Sequence, residues 1–398
     1  MMESLYSYQN QLLASTEFFF RRSFIDSVEW NDRLIGIVGA RGAGKTTCLL
    51  QRLQDIGTSD LSNLYVTLDN LSNPYPTLIA LAETFHNRGG KVLILDEIHK
   101  YPGWAGELKN IYDRFPRLKV VYSGSSTLKI RDEAVDLSRR AVVYQLQGLS
   151  FREYLEIIVK CSLPKISLHE LLKDHVGFCI RLIKDLKPLA YFKPYLKNGY
   201  FPFFLQSEKT YLFKLQAIIN YILESEIPGI LNIEYRNIQK MKRALQYIAA
   251  NLPYQPNISK LAESIELNRN SLLTYLGLME RAGIITSLYQ SGSFYGKLTK
   301  PGKILLHHPN LSFALNSGEA NIGNLRECFF VNQLAHSHKV ELAVKGDFMI
   351  DEKYLFEIGG KGKKGKQIAG MQEAFIVADD LETGFDNKIP LWLFGFLY

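Results

Sequence analysis

Long apolar runs are missing from this sequence. None of its 398 residues falls in a stretch of eighteen or more consecutive apolar positions, so no segment has the length of a membrane-spanning helix. The opening MMESLYSYQNQLLASTEFFFRRSF lacks the basic stretch followed by an apolar one that marks a secretion signal, so a cytoplasmic location away from membranes is the expectation. Cysteine is scarce. Cys48, Cys161, Cys179 and Cys328 are scattered, with no CxxC pair and no histidine at zinc-ligand spacing, which predicts reduced, mostly buried thiols. No fixed-period repeat and no low-complexity linker occurs. Neither sign of charge dominates: 47 Lys and Arg stand against 40 Asp and Glu, a net charge of +7. That mild excess permits a nucleic-acid partner without requiring one. What remains, 46% hydrophobic and 22% charged residues, is the composition of a globular chain long enough for several domains.

Periodicity divides the chain. In residues 1–150, LIGIV (34–38), LYVTL (64–68), KVLIL (91–95), LKVVY (118–122) and AVVYQL (141–146) read as buried strands separated by helical stretches. Such alternation predicts an α/β domain with a parallel sheet. From 151 to about 235 the strand signal fades. LSFREYLEIIVK and LHELLKDHVGFCIRLIKDL place apolar residues three and four apart, the spacing of helices, and a turn-rich KPYLKNGYFPFF interrupts them. Residues 236–303 give three helices (IQKMKRALQYIAANL, ISKLAESIE, NRNSLLTYLGLMERAG) and a hairpin-like IITSLYQSGSFYGKLTK. Residues 304–398 return to mixed α/β character and end in a strand-like LWLFGFLY.

Chemistry concentrates at two strand ends. Gly39, Ala40, Arg41, Gly42, Ala43, Gly44, Lys45 and Thr46 satisfy GxxxxGK[ST] between an apolar strand and a helix-compatible run that opens with Thr47. Glycines let the loop curl its N–H groups inward at phosphate oxygens, and the following helix turns its positive end to the same anion. Lys45 then reaches the β- and γ-phosphates, and the Thr46 hydroxyl ligates magnesium. The run KVLIL ends in Asp96 and Glu97. Asp96 is the expected magnesium ligand, directly or through water, and Glu97 the base that polarises the attacking water. A third strand ends in Ser123-Gly-Ser125-Ser126, either a sensor of the γ-phosphate or a solvent-facing turn. Arg140, ahead of the next strand, is a candidate transition-state arginine.

With these motifs the chain resembles the prokaryotic AAA-type ATPases that carry a C-terminal domain, often nuclease-like. The matching pieces are GARGAGKTT, ILDEIHKYPGWAGELKNIYD, VVYSGSS, LSRRAVVYQLQGLSFREYL, FKPYLKNGYFPFF and GDFMIDEKYLFEIGGK. The resemblance implies a P-loop ATPase core over 1–150, a helical lid over 151–235, a sensor at Ser123 or Ser125, and assembly into a homo-oligomer. Where that family has Gly-Arg this chain has Arg139-Arg140, which leaves an arginine acting in trans open between the two.

The order helix, helix, helix, hairpin over 236–303 is that of a winged helix. It places Asn268, Arg269, Asn270 and Ser271 at the start of the third helix, where side chains enter a major groove, with Lys297, Lys300 and Lys303 on the wing facing phosphates. A protein-interaction module has the same order. Within 304–398, Asp347 and, ten residues on, Glu357 have the spacing of a restriction-endonuclease-like fold, and Glu327 on a preceding helix completes a carboxylate set suited to magnesium. Such a site wants a lysine two residues after Glu357. Gly359 stands there, and Lys361 reaches the site only if Gly359 and Gly360 form a bulge. The domain is therefore expected to be degenerate and not to cut DNA efficiently, with Lys361, Lys363, Lys364 and Lys366 on phosphates or in a solvated loop. The expectation is an AAA-type switch or motor that binds ATP and Mg2+, hydrolyses ATP and acts on DNA. The alternatives are a signalling or defence switch that uses ATP to change protein partners, or an ATP-dependent nuclease.

Overall fold

Strands buried on both faces are apolar along most of their length, and the first part of the chain has five strands, four of this kind and a last one that is largely exposed. In the computed structural model, which describes residues 2–58, 60–69, 75–124, 137–231, 233–292, 300–316 and 320–398, these are β1 (Leu34–Gly39), β2 (Asn63–Thr67), β3 (Val92–Asp96), β4 (Lys119–Gly124) and β5 (Val142–Leu146). All neighbours pair in parallel, in the order β2-β3-β4-β1-β5. Parallel pairing needs crossovers, and α2 (Lys45–Ile56), α3 (Leu78–Asn87) and α4 (Trp104–Arg114) supply them. Side chains two apart share a face. Leu34, Val38, Leu64, Val66, Leu93 and Leu95 therefore pack with Leu81, Phe85, Leu108 and Ile111 of α3 and α4. Ile35, Ile37, Tyr65, Ile94 and Val121 face the other way, onto Cys48, Leu49 and Leu53 of α2. Truncating a fully buried leucine such as Leu49 to alanine costs about 2–5 kcal/mol. A helix that the periodicity does not announce, α1 (Met2–Ser15), lies against β2, the strand at one edge of the sheet. Met2 joins one core layer and Leu12 and Leu13 the other.

The described chain divides into two compact units, Met1–Gly148 and Leu149–Tyr398. The second opens with α5 (Phe151–Val159) and α6 (Leu168–Ile183), each started by a capping box, Ser150 with Glu153 and Ser167 with Glu170. The turn-rich reading of KPYLKNGYFPFF holds only in part, since its first half lies in a helix. Pro188 opens α7 (Pro188–Asn198), which tolerates Pro194 inside it, and Pro202–Leu205 form a 3-10 turn. After α8 (Tyr211–Tyr221) come α9 (Tyr235–Ala250), α10 (Ile258–Ser264) and α11 (Arg269–Arg281), then the antiparallel pair β6 (Ile285–Leu288) and β7 (Lys303–Leu306). Tyr254, between α9 and α10, bridges to Ile304. The hairpin's second strand thus runs past residue 303.

Next come α12 (Pro309–Leu315) and α13 (Ile322–Leu334). Every residue from Cys328 to Leu334 is buried, as befits a helix covered all round. A second sheet follows, in the order β12-β11-β10-β9-β8. Its strands β8 (Val340–Leu342), β9 (Phe348–Ile350) and β10 (Tyr354–Gly359) form an antiparallel meander. Strands β11 (Ala374–Ala378) and β12 (Lys388–Pro390) continue it in parallel. The terminal LWLFGFLY is not a strand but a buried 3-10 helix, Leu391–Phe396, packed on α13 and α5. A short apolar run satisfies either structure.

Two histidines are enclosed where β7 meets α12. The His308 ring stacks on Tyr200 with centroids 4.1 Å apart, and His307 Nδ1 lies 3.1 Å from the Thr286 hydroxyl. Burial holds His307 down at about 4 and His308 well below the ordinary 6.5. Both stay neutral in the fold and take up a proton when the chain unfolds in acid. Their contribution is therefore complete above the unfolded value and is lost as pH falls towards the folded ones. His308→Phe keeps a ring on Tyr200 and removes one of these protons. Its denaturant midpoint is expected to drop less between about pH 7 and about pH 5 than that of the unsubstituted chain. An equal drop in both would contradict the assignment.

Candidate functional site

The loop from β1 to α2 is shaped by what its glycines lack. A Cβ on Gly39 would lie 2.3 Å from the Leu146 carbonyl oxygen, so only glycine lets β5 pair up to the end of β1. Gly42 and Gly44 have φ of 87° and 96°, the left-handed region that glycine enters without strain. These turns leave loop N–H groups at the head of α2, an arrangement suited to an anion. From below, the buried Arg22 holds the loop: its guanidinium donates to the carbonyls of Ala43 at 3.1 Å, Gln147 at 3.1 Å and Gly148 at 2.9 Å. The Lys45 ammonium donates to Gly39 O at 2.9 Å and Ala40 O at 3.1 Å. Arg41 and Thr47 are half-buried beside it.

Across from the loop, the end of β3 carries the acids. Asp96 is 2% exposed, and its carboxylate gathers donors from β2, β4, α2 and the residue that follows it. Its Oδ2 accepts from the Thr46 hydroxyl at 2.7 Å and from the Tyr65 hydroxyl at 2.7 Å. Its Oδ1 accepts from the Ser123 hydroxyl and from Glu97 N at 3.1 Å. A hydroxyl and a carboxylate side by side at the head of α2 are hard oxygen donors. They fit magnesium, which takes few protein ligands and keeps phosphate and water for the rest. Glu97 has a φ of 57°, a conformation that costs a non-glycine residue about 1–3 kcal/mol and is found at functional sites. Its Oε2 lies 3.4 Å from His99 Nε2.

The remaining candidates of the first unit fall as follows. Ser123 is the last residue but one of β4, which lies between the strands that carry the two motifs, and its hydroxyl faces Asp96. Ser125 and Ser126 lie outside the described residues. Arg140 does not reach this chain's own phosphate loop. It sits two residues before β5, at the end of the sheet where Val142 pairs with Ile35, while the loop adjoins Leu146 at the other end. Six residues separate Arg140 from Leu146, about 20 Å of strand. Its guanidinium instead grips Asp113 with two bonds of 3.0 Å.

In the second unit Arg269 and Asn270 are exposed at the first turn of α11, and Lys300 is exposed ahead of β7. Lys297 is outside the described residues. Asn268 is no groove-reading side chain: it caps α11, its oxygen accepting from Ser271 N at 2.8 Å. Lys303 leaves the wing as well, because its ammonium is 2.9 Å from Glu327 Oε2 and mostly covered. Glu280 turns from the α11 surface to accept from Ser287 N at 2.7 Å.

Glu327, Asp347 and Glu357 do not form the expected metal set. Among the described residues no three His, Cys, Asp or Glu side chains converge to hold a metal. Glu327 is held by Lys303, and burial raises its pKa. Asp347 accepts from Ile358 N at 2.6 Å. Glu357 Oε1 is 3.0 Å from the ammonium of Lys363. The Lys361 side chain is exposed, and its backbone carbonyl holds Lys388 at 2.6 Å. Lys363 rather than Lys361 serves Glu357, and Gly359 is the reason. A Cβ there would come within 2.7 Å of the Lys363 chain, so the missing side chain is the space through which Lys363 passes.

Tyr65, Gln9 and Arg22 carry site contacts that the sequence reading leaves aside, and Lys363, read there as facing phosphates or solvent, pairs with Glu357 instead. Only a polar atom on an otherwise apolar strand could have pointed to Tyr65, and nothing local marks Gln9 or Arg22.

Residues 31–155 match the family described as an AAA domain, and residues 189–311 match a domain of unknown function. An uncharacterized protein of Methanocaldococcus jannaschii is 25% identical over 295 residues, 70% of this chain and 62% of its own length. The chain therefore spans under two thirds of that relative. Among solved structures, AMPPCP-bound DnaA from Aquifex aeolicus is similar over 64% of this chain and 84% of its own, with 14% identity and a TM-score of 0.26. The ADP complex of Hsp104 from S. cerevisiae is similar over 71% and 40%, with 19% identity and a TM-score of 0.27. The family match and the parallel sheet make the first unit an AAA-type P-loop ATPase domain.

The two lysine assignments separate by stability. Lys363→Ala leaves the buried Glu357 without its cation and is expected to cost about 1–3 kcal/mol. Lys361→Ala removes only an exposed side chain and should stay within about 0.5 kcal/mol. Denaturant unfolding of both variants checks this, and a larger loss in Lys361→Ala would reverse the assignment.

Proposed function

We propose that the chain hydrolyses ATP with magnesium as an AAA-type switch or motor and that its second unit engages DNA. The observation that carries the first half is the 2.7 Å contact between Thr46 at the head of α2 and Asp96 at the end of β3. It joins the two motifs into one site. Lys45 exchanges the carbonyls of Gly39 and Ala40 for the β- and γ-phosphates, and loop N–H groups take the remaining oxygens. Thr46 and Asp96 are the residues that would hold magnesium, which when bound neutralises charge on the phosphate oxygens. The Glu97 carboxylate takes the proton of the attacking water. His99 steadies that carboxylate from one side, and Ser123, behind Asp96, limits how far the pair can turn. Arg140, turned away from its own loop, fits a role towards a neighbouring copy, with Arg139 beside it.

The DNA half rests on the three helices and antiparallel pair of residues 235–306, which support a winged-helix reading with α11 as the groove helix. Its first turn offers Arg269 and Asn270, and Lys300 flanks the hairpin. Burial of Glu280 against Ser287 removes a carboxylate that would have repelled phosphate. The C-terminal sheet fits a binding element better than a cutting one, because its acids are already engaged by Lys303, Lys363 and a backbone N–H.

Lys45→Ala is expected to lose nucleotide affinity, read by titration calorimetry. Glu97→Gln should bind ATP normally and turn it over about 10²–10⁴-fold more slowly, the usual worth of a positioned base. Full turnover by Glu97→Gln would remove Glu97 from its role. For DNA, replacing Arg269 and Lys300 by alanine should weaken binding by about 1–3 kcal/mol for a base contact, or lower the salt slope by about one for a phosphate contact. Gel shifts at several salt concentrations decide it, and unchanged binding would make residues 235–306 a protein-interaction module.

A further inference from the structure

Asp96 has more support than a phosphate site of this kind requires, and the surplus comes from β2. Thr46 and Ser123 belong to the loop helix and the neighbouring strand, and both stand where the sheet order puts them. Tyr65 reaches across from the edge strand: its ring is buried, 2% exposed, and its hydroxyl ends 2.7 Å from Asp96 Oδ2. With Thr46 on the same oxygen, both lone pairs of Oδ2 are occupied by hydroxyl donors. The contact between Tyr65 and Asp96 is buried, so removing this donor leaves a buried carboxylate oxygen short of a partner. A carboxylate only accepts, so in this contact the Tyr65 hydroxyl is the donor.

Tyr65 is in turn fixed from outside the AAA match, which begins at residue 31. As part of the edge strand, Tyr65 has an N–H that no strand accepts. The side-chain oxygen of Gln9, on α1, accepts it at 2.7 Å. Gln9 is wholly buried, so this contact sets α1 along the strand at one height. A chain of two hydrogen bonds thus runs from α1 through Tyr65 to the acid that faces Thr46.

We propose that Tyr65 is a positioning residue for the metal-holding carboxylate of Asp96, and that Gln9 of α1 braces Tyr65 in that position. The inference rests on the phosphate-site reading above and adds to it a residue on β2 and a helix outside the matched domain. The hydroxyl of Tyr65 does not touch nucleotide or metal. It keeps Oδ2 turned towards Thr46, so that the two oxygens present one site to magnesium rather than two separate ones.

The test uses the full chain and a fluorescent ATP analogue, titrated with magnesium and again with the metal chelated. Manganese binding to the protein–nucleotide complex, followed by electron paramagnetic resonance, gives a second reading that needs no turnover. Tyr65→Phe keeps the ring in the core and removes only the donor. Its metal-free affinity is expected to stay within about two-fold of the unsubstituted chain, while the gain in affinity on adding magnesium shrinks about five- to ten-fold, since a charge-assisted hydrogen bond is at stake. Gln9→Leu, which fits the same buried place, should move the magnesium gain in the same direction by less. If Tyr65→Phe kept the full magnesium gain, or lost metal-free and metal-bound affinity alike, Tyr65 would be a packing residue only and the proposal overturned. Lys45→Ala runs alongside. If the unsubstituted chain bound no nucleotide, or Lys45→Ala bound as well as it, the phosphate-site reading would fail and this inference with it.

Discussion

The first unit is organised around one carboxylate. Asp96 accepts from α2, β2, β4 and its own next residue, and each donor arrives from a different piece of chain. A buried anion is tolerated only when hydrogen bonds replace the water it has lost, so the parallel sheet, the tight turn at Gly39 and the packing of α2 must all be right before this group can be buried at all. The dependence also runs the other way. Once the four donors have converged, their geometry fixes how far the phosphate loop stands from the end of β3, and that distance decides whether Lys45, Thr46 and Glu97 can address one ligand.

How much of this the sequence shows depends on how far apart the partners lie in the chain. Gly39–Thr46 and Asp96–Glu97 are legible because each is a contiguous run at a strand end, and the five apolar runs match the observed strands to within a residue or two. Tyr65 is not legible. An aromatic residue in an apolar strand reads as core, which most of its ring is, and its partner is 31 positions away. Gln9 is less legible still, on a helix that the apolar spacing does not reveal. Proline misleads in KPYLKNGYFPFF, where Pro194 sits inside α7 and Pro202 opens a 3-10 turn. The closing LWLFGFLY is apolar enough for either a strand or a buried helix, and only its surroundings choose.

The C-terminal sheet shows the same limit for charges. Counting two or four residues from Glu357 leads to Gly359 and Lys361, because along a regular strand those share its face. The chain leaves the strand at Gly359, however, and Lys363 returns across the glycine to reach Glu357. A position that lacks a side chain thus works as a passage for one that comes from elsewhere. Lys303 of β7 pairs with Glu327 in the same way. Both pairs convert carboxylates that look available in the sequence into neutralised parts of the interior.

An open sheet has two borders, and this one treats them differently. Along β2, α1 lies over the strand, and Gln9 takes the N–H of Tyr65 that another strand would otherwise seek. At the opposite border β5 carries Val142 and Val143, both exposed. Any further strand, whether from a partner or from a misfolded copy, therefore meets a closed side and an apolar one. Growth of the sheet is directional: the risk of unwanted strand pairing, which edge strands bring, is confined to the border that begins just after Arg140.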